Sequence, residues 1–186
     1  MKIDILTNIK YVERIKQGII NKEEVFLYGC TQYPVVLKGQ GDIDEQYCKN
    51  NNIEIYSSFN AGGTIIMDKG DIDIVILKEK GWDIGKYLGE QILQYLQAKA
   101  INVSLEGNDI LVDGIYKVAS YSSINLGDAI NPYIYTAGHI SINPNLEMIK
   151  CICKKEMVKI PKGLGEYGIT TEEMVALVLK IAKNIN

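Results

Sequence analysis

The stretch at residues 101–122 constrains the fold most, because a strong turn signal joins two of its apolar segments. Residues 110–112 read Ile-Leu-Val and are followed by Asp113-Gly114. Asp-Gly favours a two-residue hairpin turn, since glycine adopts positive φ freely and aspartate tolerates it. Residues 115–121 then return as a second strand. The pattern therefore predicts a β-hairpin.

The returning strand of this hairpin carries a candidate functional lysine. Strict alternation places four of its side chains on one face, namely Ile115, Lys117, Ala119 and Tyr121. The pair Asn108-Asp109 lies at the mouth of the first strand. A rigid frame that presents a lysine and an Asn-Asp pair can hold an acyl phosphate or an adenylate. The hairpin alone favours an ordinary solvated lysine, because most lysines do no chemistry.

Length and composition indicate one soluble globular domain. The chain has 186 residues, of which 47% are hydrophobic and 23% charged. No apolar run approaches the roughly 20 residues of a membrane helix, and the N-terminus lacks a signal-peptide core. The net charge is −3 with both signs mixed along the chain. We therefore expect a cytoplasmic protein with neither a membrane nor a nucleic-acid partner.

The basic residues and the cysteines limit the chemistry that the chain can use. Arg14 is the single arginine among 20 basic residues. Any phosphate must therefore be held by lysine, backbone N–H groups or a metal, because a guanidinium clamp is nearly unavailable. The four cysteines lack zinc-ligand spacing, and we expect them to be reduced thiols. They are Cys30, Cys48, Cys151 and Cys153.

Apolar periodicity predicts strands and isolated helices without regular βαβ units. We expect a single α+β domain over residues 1–186, with a central mixed, largely antiparallel sheet flanked by helices. The helices are predicted at 9–20, after an Asp42 cap, at 83–99, after Pro144, and after a Thr170–Glu173 capping box. Asp83 is predicted to cap the helix at 83–99, whose apolar face consists of Ile84, Leu88, Ile92, Tyr95 and Leu96. A first strand is predicted at 25–28. The central sheet is predicted to include strands at 35–37, 53–57, 64–67, 72–77, 109–113, 115–121 and 134–142. Polar loops are expected at 122–132 and 154–168.

Two glycines follow the predicted strand at 53–57. Gly62-Gly63 would let the backbone approach a ligand closely and direct amides at it. A tight turn is the alternative, and it is favoured because a lone Gly-Gly is weak evidence.

Four segments, in order, resemble the catalytic domain of lipoate–protein ligases and biotin ligases. Residues 34–40 are similar to the family's entry strand, and residues 60–71 to its glycine loop with the Asp-x-Gly that follows. Residues 107–120 are similar to the Asn-Asp and lysine motif, and residues 138–143 to the His-Gly strand. The resemblance covers the chain from about Val25 onward.

This resemblance implies an ATP-using ligase. Such an enzyme uses ATP and Mg²⁺ to activate lipoate, octanoate or biotin as an acyl-adenylate. It then passes the acyl group to a lysine of a lipoyl or biotinyl carrier domain. The glycine cleavage H protein and the acyl-carrier domain of a 2-oxoacid dehydrogenase are examples.

The resemblance also implies roles for individual residues. Lys117 matches the catalytic lysine, and Asp109 the residue near Mg²⁺. The positions implied to bind the acyl group or the adenylate are Asn60, Ala61, Gly62, Gly63, Thr64, Asn108, Asp109, Ala119, Gly138 and His139.

The sequence departs from the family pattern around the glycine loop. Ser57 and Ser58 stand where the family has paired arginines, Ala61 replaces the first glycine, and Met67 replaces a histidine. Three hypotheses stay open. The chain is a ligase, or a diverged member that binds an acyl group or a carrier without catalysis or only with a partner, or an ATP-independent octanoyl or lipoyl transferase. The retained Lys117 favours the ligase.

Overall fold

The computed structural model describes residues 1–5, 11–57, 63–79, 83–126, 133–154, 157 and 159–185. In these ranges the strands are β1 (Lys2–Ile5), β2 (Val25–Cys30), β3 (Val35–Lys38), β4 (Glu54–Ser57), β5 (Ile65–Met67), β6 (Ile72–Glu79), β7 (Val103–Glu106), β8 (Asp109–Val112), β9 (Tyr116–Leu126), β10 (Tyr133–Ile140) and β11 (Ile160–Pro161). The helices are α1 (Tyr11–Asn21), α2 (Glu45–Asn50), α3 (Ile84–Ala98), α4 (Leu146–Ile152) and α5 (Thr171–Ile185), with a 3₁₀ turn at Leu164–Tyr167.

The strands form two sheets. The larger sheet has the order β1-β2-β6-β10-β9-β8-β7, and β11 pairs with β9 outside this path. The smaller sheet has the order β4-β3-β5. Parallel pairing occurs between β1 and β2, β3 and β4, and β9 and β11, whereas the other pairs are antiparallel. The predicted α+β class, with a mixed and largely antiparallel central sheet flanked by helices, is confirmed.

The prediction of one sheet for all these strands is wrong. The strands predicted at 35–37, 53–57 and 64–67 form the smaller sheet instead. Apolar alternation shows that a segment is a strand but does not show which strand is its partner. Val35, Leu37 and Met67 of the smaller sheet pack against residues of β2 and β6. The two sheets therefore share a core within one domain.

Helices α3 and α5 cover one face of the larger sheet, which we call the helix face. Leu88 and Ile92 of α3, Ile74 of β6 and Val178 of α5 belong to one buried cluster. The predicted Asp83 cap is confirmed, because the Asp83 carboxylate accepts a hydrogen bond from the Lys86 N–H at 2.9 Å. The predicted apolar face of α3 is thus the one that packs on the sheet.

Tyr121 of β9 fits into a groove of α3. An added Cβ at Gly85 would lie 2.8 Å from the Tyr121 ring, and one at Gly89 would lie 2.4 Å from it. Real Cβ atoms essentially never approach so closely. The two glycines, one turn apart, therefore let the aromatic ring lie directly against the helix backbone.

The capping box of α5 is confirmed in both directions. The Glu173 N–H donates to the Thr170 hydroxyl at 3.2 Å, and the Thr170 N–H donates to the Glu173 carboxylate at 3.1 Å. The predicted Asp42 cap is wrong, because Asp44 accepts from the Tyr47 N–H at 2.7 Å and caps α2. Both aspartates precede the helix, and the sequence alone favours neither.

The predicted polar loop at 122–132 is wrong in its first part. Strand β9 continues to Leu126 and stays paired with β10. The Ser123 and Thr136 hydroxyls are 2.8 Å apart across this pair, so polar side chains are accommodated within the ladder. The rest of that predicted loop, residues 127–132, lies outside the described residues. Within the described ranges, no helix is both long and apolar enough to cross a bilayer.

Candidate functional site

An irregularity in the β8–β9 pairing sets the position of the candidate lysine. Ile110 pairs with Ala119, but the next residue of β8, Leu111, pairs with Lys117. Val118 is therefore an extra residue in β9, which makes a β-bulge. A bulge redirects the side chains on either side of it.

The predicted common face for Lys117, Ala119 and Tyr121 is wrong because of this bulge. Tyr121 packs on α3, and Ala119 belongs to the buried cluster of the helix face. Lys117 lies on the other face of the sheet, together with Asp109. Strict period-two alternation fails here because one residue is added between Lys117 and Ala119.

Asp109 is held between two lysines. Its Oδ1 lies 2.9 Å from the Lys117 Nζ, and its Oδ2 lies 3.0 Å from the Lys159 Nζ. Burial alone raises the pKa of Asp109, but the hydrogen bonds and charges of the two lysines outweigh it and hold the pKa below its usual value. The hydrogen bond to Asp109 raises the pKa of Lys159 in turn, against a smaller opposing effect of desolvation. Asp109 and Lys159 are therefore charged at neutral pH, and together with Lys117 they form one ion-paired cluster.

Lys159 is positioned by the short strand β11. Pro161 of β11 pairs with Lys117, and the Lys162 N–H donates to the Lys117 carbonyl at 2.9 Å. Lys159 precedes Pro161 by two residues, so both lie on the face that carries Lys117. Lys159 is not among the residues predicted from sequence, since it lies in a segment predicted to be loop-rich. No local pattern distinguishes it from a solvated lysine.

A row of polar side chains crosses the sheet on the same face. Asp109 pairs with Ser120, Ser120 with His139, and His139 with Asp73. Asp73 is buried, with 6% of its surface exposed. Desolvation raises its pKa to about 7, although the charge of His139 acts in the opposite direction. We call the face that carries this row the cavity face.

His139 is fixed by a second buried carboxylate. Its Nε2 lies 3.2 Å from the Oδ2 of Asp71, which has no exposed surface. The other oxygen of Asp71 accepts the Ile142 N–H at 2.7 Å, and Oδ2 also accepts the Asp68 N–H at 3.0 Å. Asp71 therefore orients the imidazole and joins the end of β10 to the loop before β6.

A cavity of about 390 Å³ opens on this face, between the larger sheet, β5 and α4. This volume lies within the usual range of small-molecule sites. Its polar lining includes Thr64, Asp109, Lys117, Ser120, His139, Ser141, Cys153 and Lys159. Its apolar lining is Ile65, Ile66, Val118, Ala119, Ile149, Met157 and Pro161. The arrangement suits a ligand with an apolar body and an anionic group.

The structure brings five of the predicted site residues together in the wall of this cavity. They are Thr64, Asp109, Lys117, Ala119 and His139. Gly63 is exposed, forms an isolated bridge with Gln40 and directly precedes Thr64. Asn108 is exposed in the turn between β7 and β8. Ser58, Asn60, Ala61 and Gly62 lie outside the described residues, so the predicted glycine loop is described only at its end.

Gly138 is not placed at the cavity. A Cβ at this position would lie 2.8 Å from the Leu88 side chain of α3, which identifies its side as the helix face. Its neighbour His139 faces the cavity, because successive residues of a strand alternate. Close packing of α3 on β10 accounts for this glycine, and the predicted grouping of Gly138 with the cavity residues is wrong.

Asp109 is the residue predicted to contact Mg²⁺. In this arrangement both of its carboxylate oxygens accept from ammonium groups, so its donor set does not fit a metal ion. Among the described residues, no group of three His, Cys, Asp or Glu side chains could hold a metal. The role of Asp109 toward Mg²⁺ stays a prediction.

One of the two cysteines near the end of α4 lines the cavity. Cys153 is partly buried in its wall, and burial raises the pKa of its thiol. Cys151 is exposed. The Cys153 thiol is therefore protonated at neutral pH, and a base would have to activate it as a nucleophile.

Comparison with known proteins identifies the fold of the chain through solved structures. No family model matches the chain, and no curated protein matches it. Solved structures do match. One is a bipartite lipoate–protein ligase from Thermoplasma acidophilum, described with its E2 lipoyl domain. It has a TM-score of 0.76 and 12% identity, with 97% of this chain and 81% of that chain covered.

Two further matches are also lipoate ligases. A lipoate–protein ligase A bound with ATP has a TM-score of 0.76 and 13% identity, over 97% of this chain and 84% of that one. LipL1 of P. falciparum, in complex with lipoate, has a TM-score of 0.75 and 15% identity, over 99% and 60%. A biotin protein ligase mutant from Aquifex aeolicus has a TM-score of 0.56 and 17% identity, over 100% and 70%.

The fold is therefore that of the biotin and lipoate protein ligase catalytic domain. Within that class the likeness is greater to the lipoate–protein ligases than to the Aquifex aeolicus biotin ligase, with TM-scores of 0.76 and 0.56. The resemblance inferred from four sequence motifs is confirmed at the level of the fold.

Proposed function

We propose that this protein is a lipoate–protein ligase-like enzyme. It activates lipoate, octanoate or biotin with ATP as an acyl-adenylate and passes the acyl group to a lysine of a carrier domain. The observation that carries the proposal is Lys117, which a β-bulge directs into a largely apolar cavity within this fold. Neighbours of the same fold have lipoate or ATP bound.

Two bond exchanges make up the proposed reaction. A carboxylate oxygen of the acid attacks the α-phosphorus of ATP, and pyrophosphate leaves. The carrier amine, having lost a proton, then attacks the acyl carbon, and AMP leaves with the bonding electron pair. The amine of the carrier is the nucleophile, so the enzyme does not have to supply one.

Lys117 contributes electrostatic stabilisation in both steps. Negative charge gathers on the phosphate and then on the acyl oxygen, and a fixed ammonium group lowers the free energy of those states. The apolar walls around Ile65, Ile149 and Met157 accept the acyl chain and exclude water. Exclusion of water protects an adenylate from hydrolysis.

The proposed partner is a lipoyl or biotinyl carrier domain, such as the H protein or a dehydrogenase acyl-carrier domain. The Thermoplasma acidophilum ligase is described together with its E2 lipoyl domain, which supports a partner of this class. The carrier lysine would reach the acyl carbon at the open cavity.

The direct test is adenylate formation. The protein is incubated with ATP, Mg²⁺ and either lipoate, octanoate or biotin, and the acyl-adenylate is detected by mass spectrometry. We expect an adenylate with at least one acid and, after addition of a carrier domain, an acylated carrier. No adenylate with any of the three acids would contradict the ligase and favour a non-catalytic or partner-dependent binding protein.

Cys153 favours a second candidate function, ATP-independent octanoyl or lipoyl transfer. Its thiol lines the same cavity as His139, whose ring is held by Asp71. In this reaction the deprotonated Cys153 attacks an acyl thioester and the donor thiolate leaves. The acceptor amine then attacks the new thioester and releases Cys153.

Two assays with the same variant distinguish the ligase from the transferase. The protein is mixed with an octanoyl-thioester donor without ATP, and its intact mass is measured. An acylated form that is lost in Cys153→Ser supports transfer. If the wild type takes up no acyl group from the thioester donor, and Cys153→Ser still forms the adenylate and acylates the carrier at the wild-type rate, the ligase stands and the transferase is excluded.

A further inference from the structure

We propose that Lys159 is a second cationic binding residue, which holds the anionic group of the substrate together with Lys117. The inference rests on the proposed function and deepens it, because it assigns the charge recognition of that same site. The anionic group is a carboxylate or a phosphate, and each carries oxygens that an ammonium group can contact.

The spacing of Lys117 and Lys159 suits an anion with two oxygens. Both lysines line the cavity, and each lies about one hydrogen bond from a different oxygen of the same carboxylate, at 2.9 and 3.0 Å. A carboxylate of a ligand has the same shape as the carboxylate of Asp109. The two ammonium groups are therefore already spaced to receive an anion with two oxygens.

The cluster of Lys117, Lys159 and Asp109 carries more positive than negative charge. Two ammonium groups face one carboxylate, which leaves one positive charge in surplus at the cavity wall. Glu106 approaches Lys159 at 3.7 Å, but its side chain is 64% exposed, so water screens that contact. One surplus positive charge matches a ligand group with one negative charge.

Arginine, which can bind two oxygens with one side chain, is nearly absent from the sequence. Arg14 is the only arginine of the sequence, and it lies on α1, where it pairs with Glu23 at 3.1 Å. Lysine is a compact ammonium that acts as a point charge, so two of them are required to grip two oxygens as one guanidinium does. Lys117 and Lys159 supply that pair.

The backbone next to Lys159 is hydrogen-bonded to the strand that carries Lys117. Strand β11 pairs with the start of β9, and the Lys162 N–H donates to the Lys117 carbonyl. The backbone next to Lys159 is therefore anchored to the strand that carries Lys117. A solvated lysine would need no such anchor.

The test is ligand binding by the full-length protein, measured by isothermal titration calorimetry with octanoate, octanamide and AMP. Octanamide keeps the apolar chain but carries no charge. The variants are Lys159→Met, Lys159→Arg and Asp109→Asn. Lys150→Met is the matched control, because it removes the same charge from an exposed position on α4.

We expect Lys159→Met to raise the dissociation constant of octanoate, AMP or both about tenfold, the equivalent of about 1.4 kcal/mol. Octanamide binding should not change, and Lys159→Arg should retain most of the anion affinity. Whichever anion is affected identifies the group as carboxylate or phosphate. Lys150→Met should match the wild type with all three ligands.

Asp109→Asn gives a prediction of opposite sign. It removes the internal anion that competes with the ligand, so octanoate or AMP should bind several-fold more tightly. This variant and Lys159→Arg keep the test decisive if Lys159→Met does not fold. Weaker anion binding by Asp109→Asn, with octanamide unchanged, would overturn the proposal.

Other outcomes also decide the matter. Equal losses of octanoate and octanamide in Lys159→Met would indicate a change of shape and overturn the proposal, as would wild-type affinities. If the wild type binds none of the three ligands, this proposal fails, whereas the ligase is decided separately by adenylate formation with lipoate, octanoate or biotin. Lys159-dependent anion binding without any adenylate would leave the proposal standing and remove the ligase alone.

Discussion

The two faces of the larger sheet are built from alternate residues of the same strands. Both bury apolar side chains, since Val75 and Leu77 on the cavity face belong to one cluster with Leu37 of the smaller sheet, but the two faces differ around the cavity. On β10, Gly138 packs against Leu88 of α3, whereas the next residue, His139, lines the cavity and contacts Asp71. The helix face is closed and apolar. The cavity face carries the row of polar groups from Asp109 to Asp73.

This contrast teaches that stability and chemistry can be separated within a single strand. On the helix face, burial of apolar side chains against α3 and α5 makes a large favourable contribution to the free energy of folding. The other side can then accommodate buried polar groups, which are costly by themselves. Variants of the two faces should therefore affect different measurements.

The largest expected effect is on the helix face. Leu88→Ala removes a fully buried side chain and should lower the free energy of unfolding by about 2–5 kcal/mol. The measurement is urea denaturation, with the partly buried Leu93→Ala on the same helix as a control for a smaller loss. Substrate binding by the folded fraction should be unchanged. A variant as stable as the wild type would show that this face does not dominate stability.

The next effect is on the cavity face. Lys117→Ala should lower the rate of adenylate formation about 100- to 1,000-fold, because a charge aimed at the transition state is lost. Its melting temperature should hardly change, since Asp109 keeps Lys159 as a partner. Lys117→Arg should restore the rate only in part, because a planar guanidinium does not replace a compact ammonium.

The measurement for these variants is acyl transfer to a carrier domain, with thermal melts as the folding control. A wild-type rate in Lys117→Ala at an unchanged melting temperature would exclude the catalytic role. A large fall in melting temperature would instead show that the cavity face also stabilises the fold.

The third effect concerns the buried Asp73. Its pKa is raised from 3.8 to about 7, so the folded state binds this proton more tightly than the unfolded state does. Between these two values the free energy of unfolding falls as the pH rises, and above about pH 7 it levels off. Asp73→Asn removes this loss because an amide does not ionise.

The stabilisation by Asp73→Asn should therefore be greater at about pH 8 than at about pH 5. The difference should be about 2–3 kcal/mol, since each pH unit below the folded pKa corresponds to about 1.4 kcal/mol. Chemical denaturation at both pH values measures it, with the exposed Asp42→Asn as the control. Equal effects at the two pH values would show that Asp73 has the same pKa in the folded and unfolded states.

The smallest effect sharpens the comparison at the edge of the helix face. Thr170→Ala removes the hydroxyl that accepts the Glu173 N–H and should cost about 1 kcal/mol of stability. Thr170→Ser keeps the hydrogen bond and is the control. Adenylate formation should be unaffected. A loss of activity without a loss of stability would link α5 to the cavity.

The features that sequence predicted correctly depend on local rules. The Asp-Gly hairpin turn, the Asp83 cap and the capping box of α5 each involve residues no more than three positions apart. Asp113 and Gly114 both have positive φ, at 52° and 68°, as that turn requires. The resemblance to a family predicted the fold, which is confirmed, whereas the catalytic role of Lys117 stays a prediction.

The features that sequence missed depend on contacts between distant segments. The separate small sheet, the bulge at Val118 and the anchoring of Lys159 by β11 are all decided by pairing between strands. Lys159 and Asp109 are 50 positions apart, and His139 and Asp71 are 68 apart. No periodicity in one segment indicates such a partner.

The ion pair between Asp109 and Lys159 has a consequence for the proposed reaction, namely for acylation of the protein by its own intermediate. In the proposed reaction, an acyl-adenylate would acylate any free amine within reach, and Lys159 lies in the wall of the cavity. An amine is nucleophilic only after it has lost its proton. Because Asp109 raises the pKa of Lys159, that amine stays protonated. In the proposed reaction, the carboxylate would therefore make Lys159 a poorer nucleophile than a free lysine and favour acylation of the carrier over self-acylation.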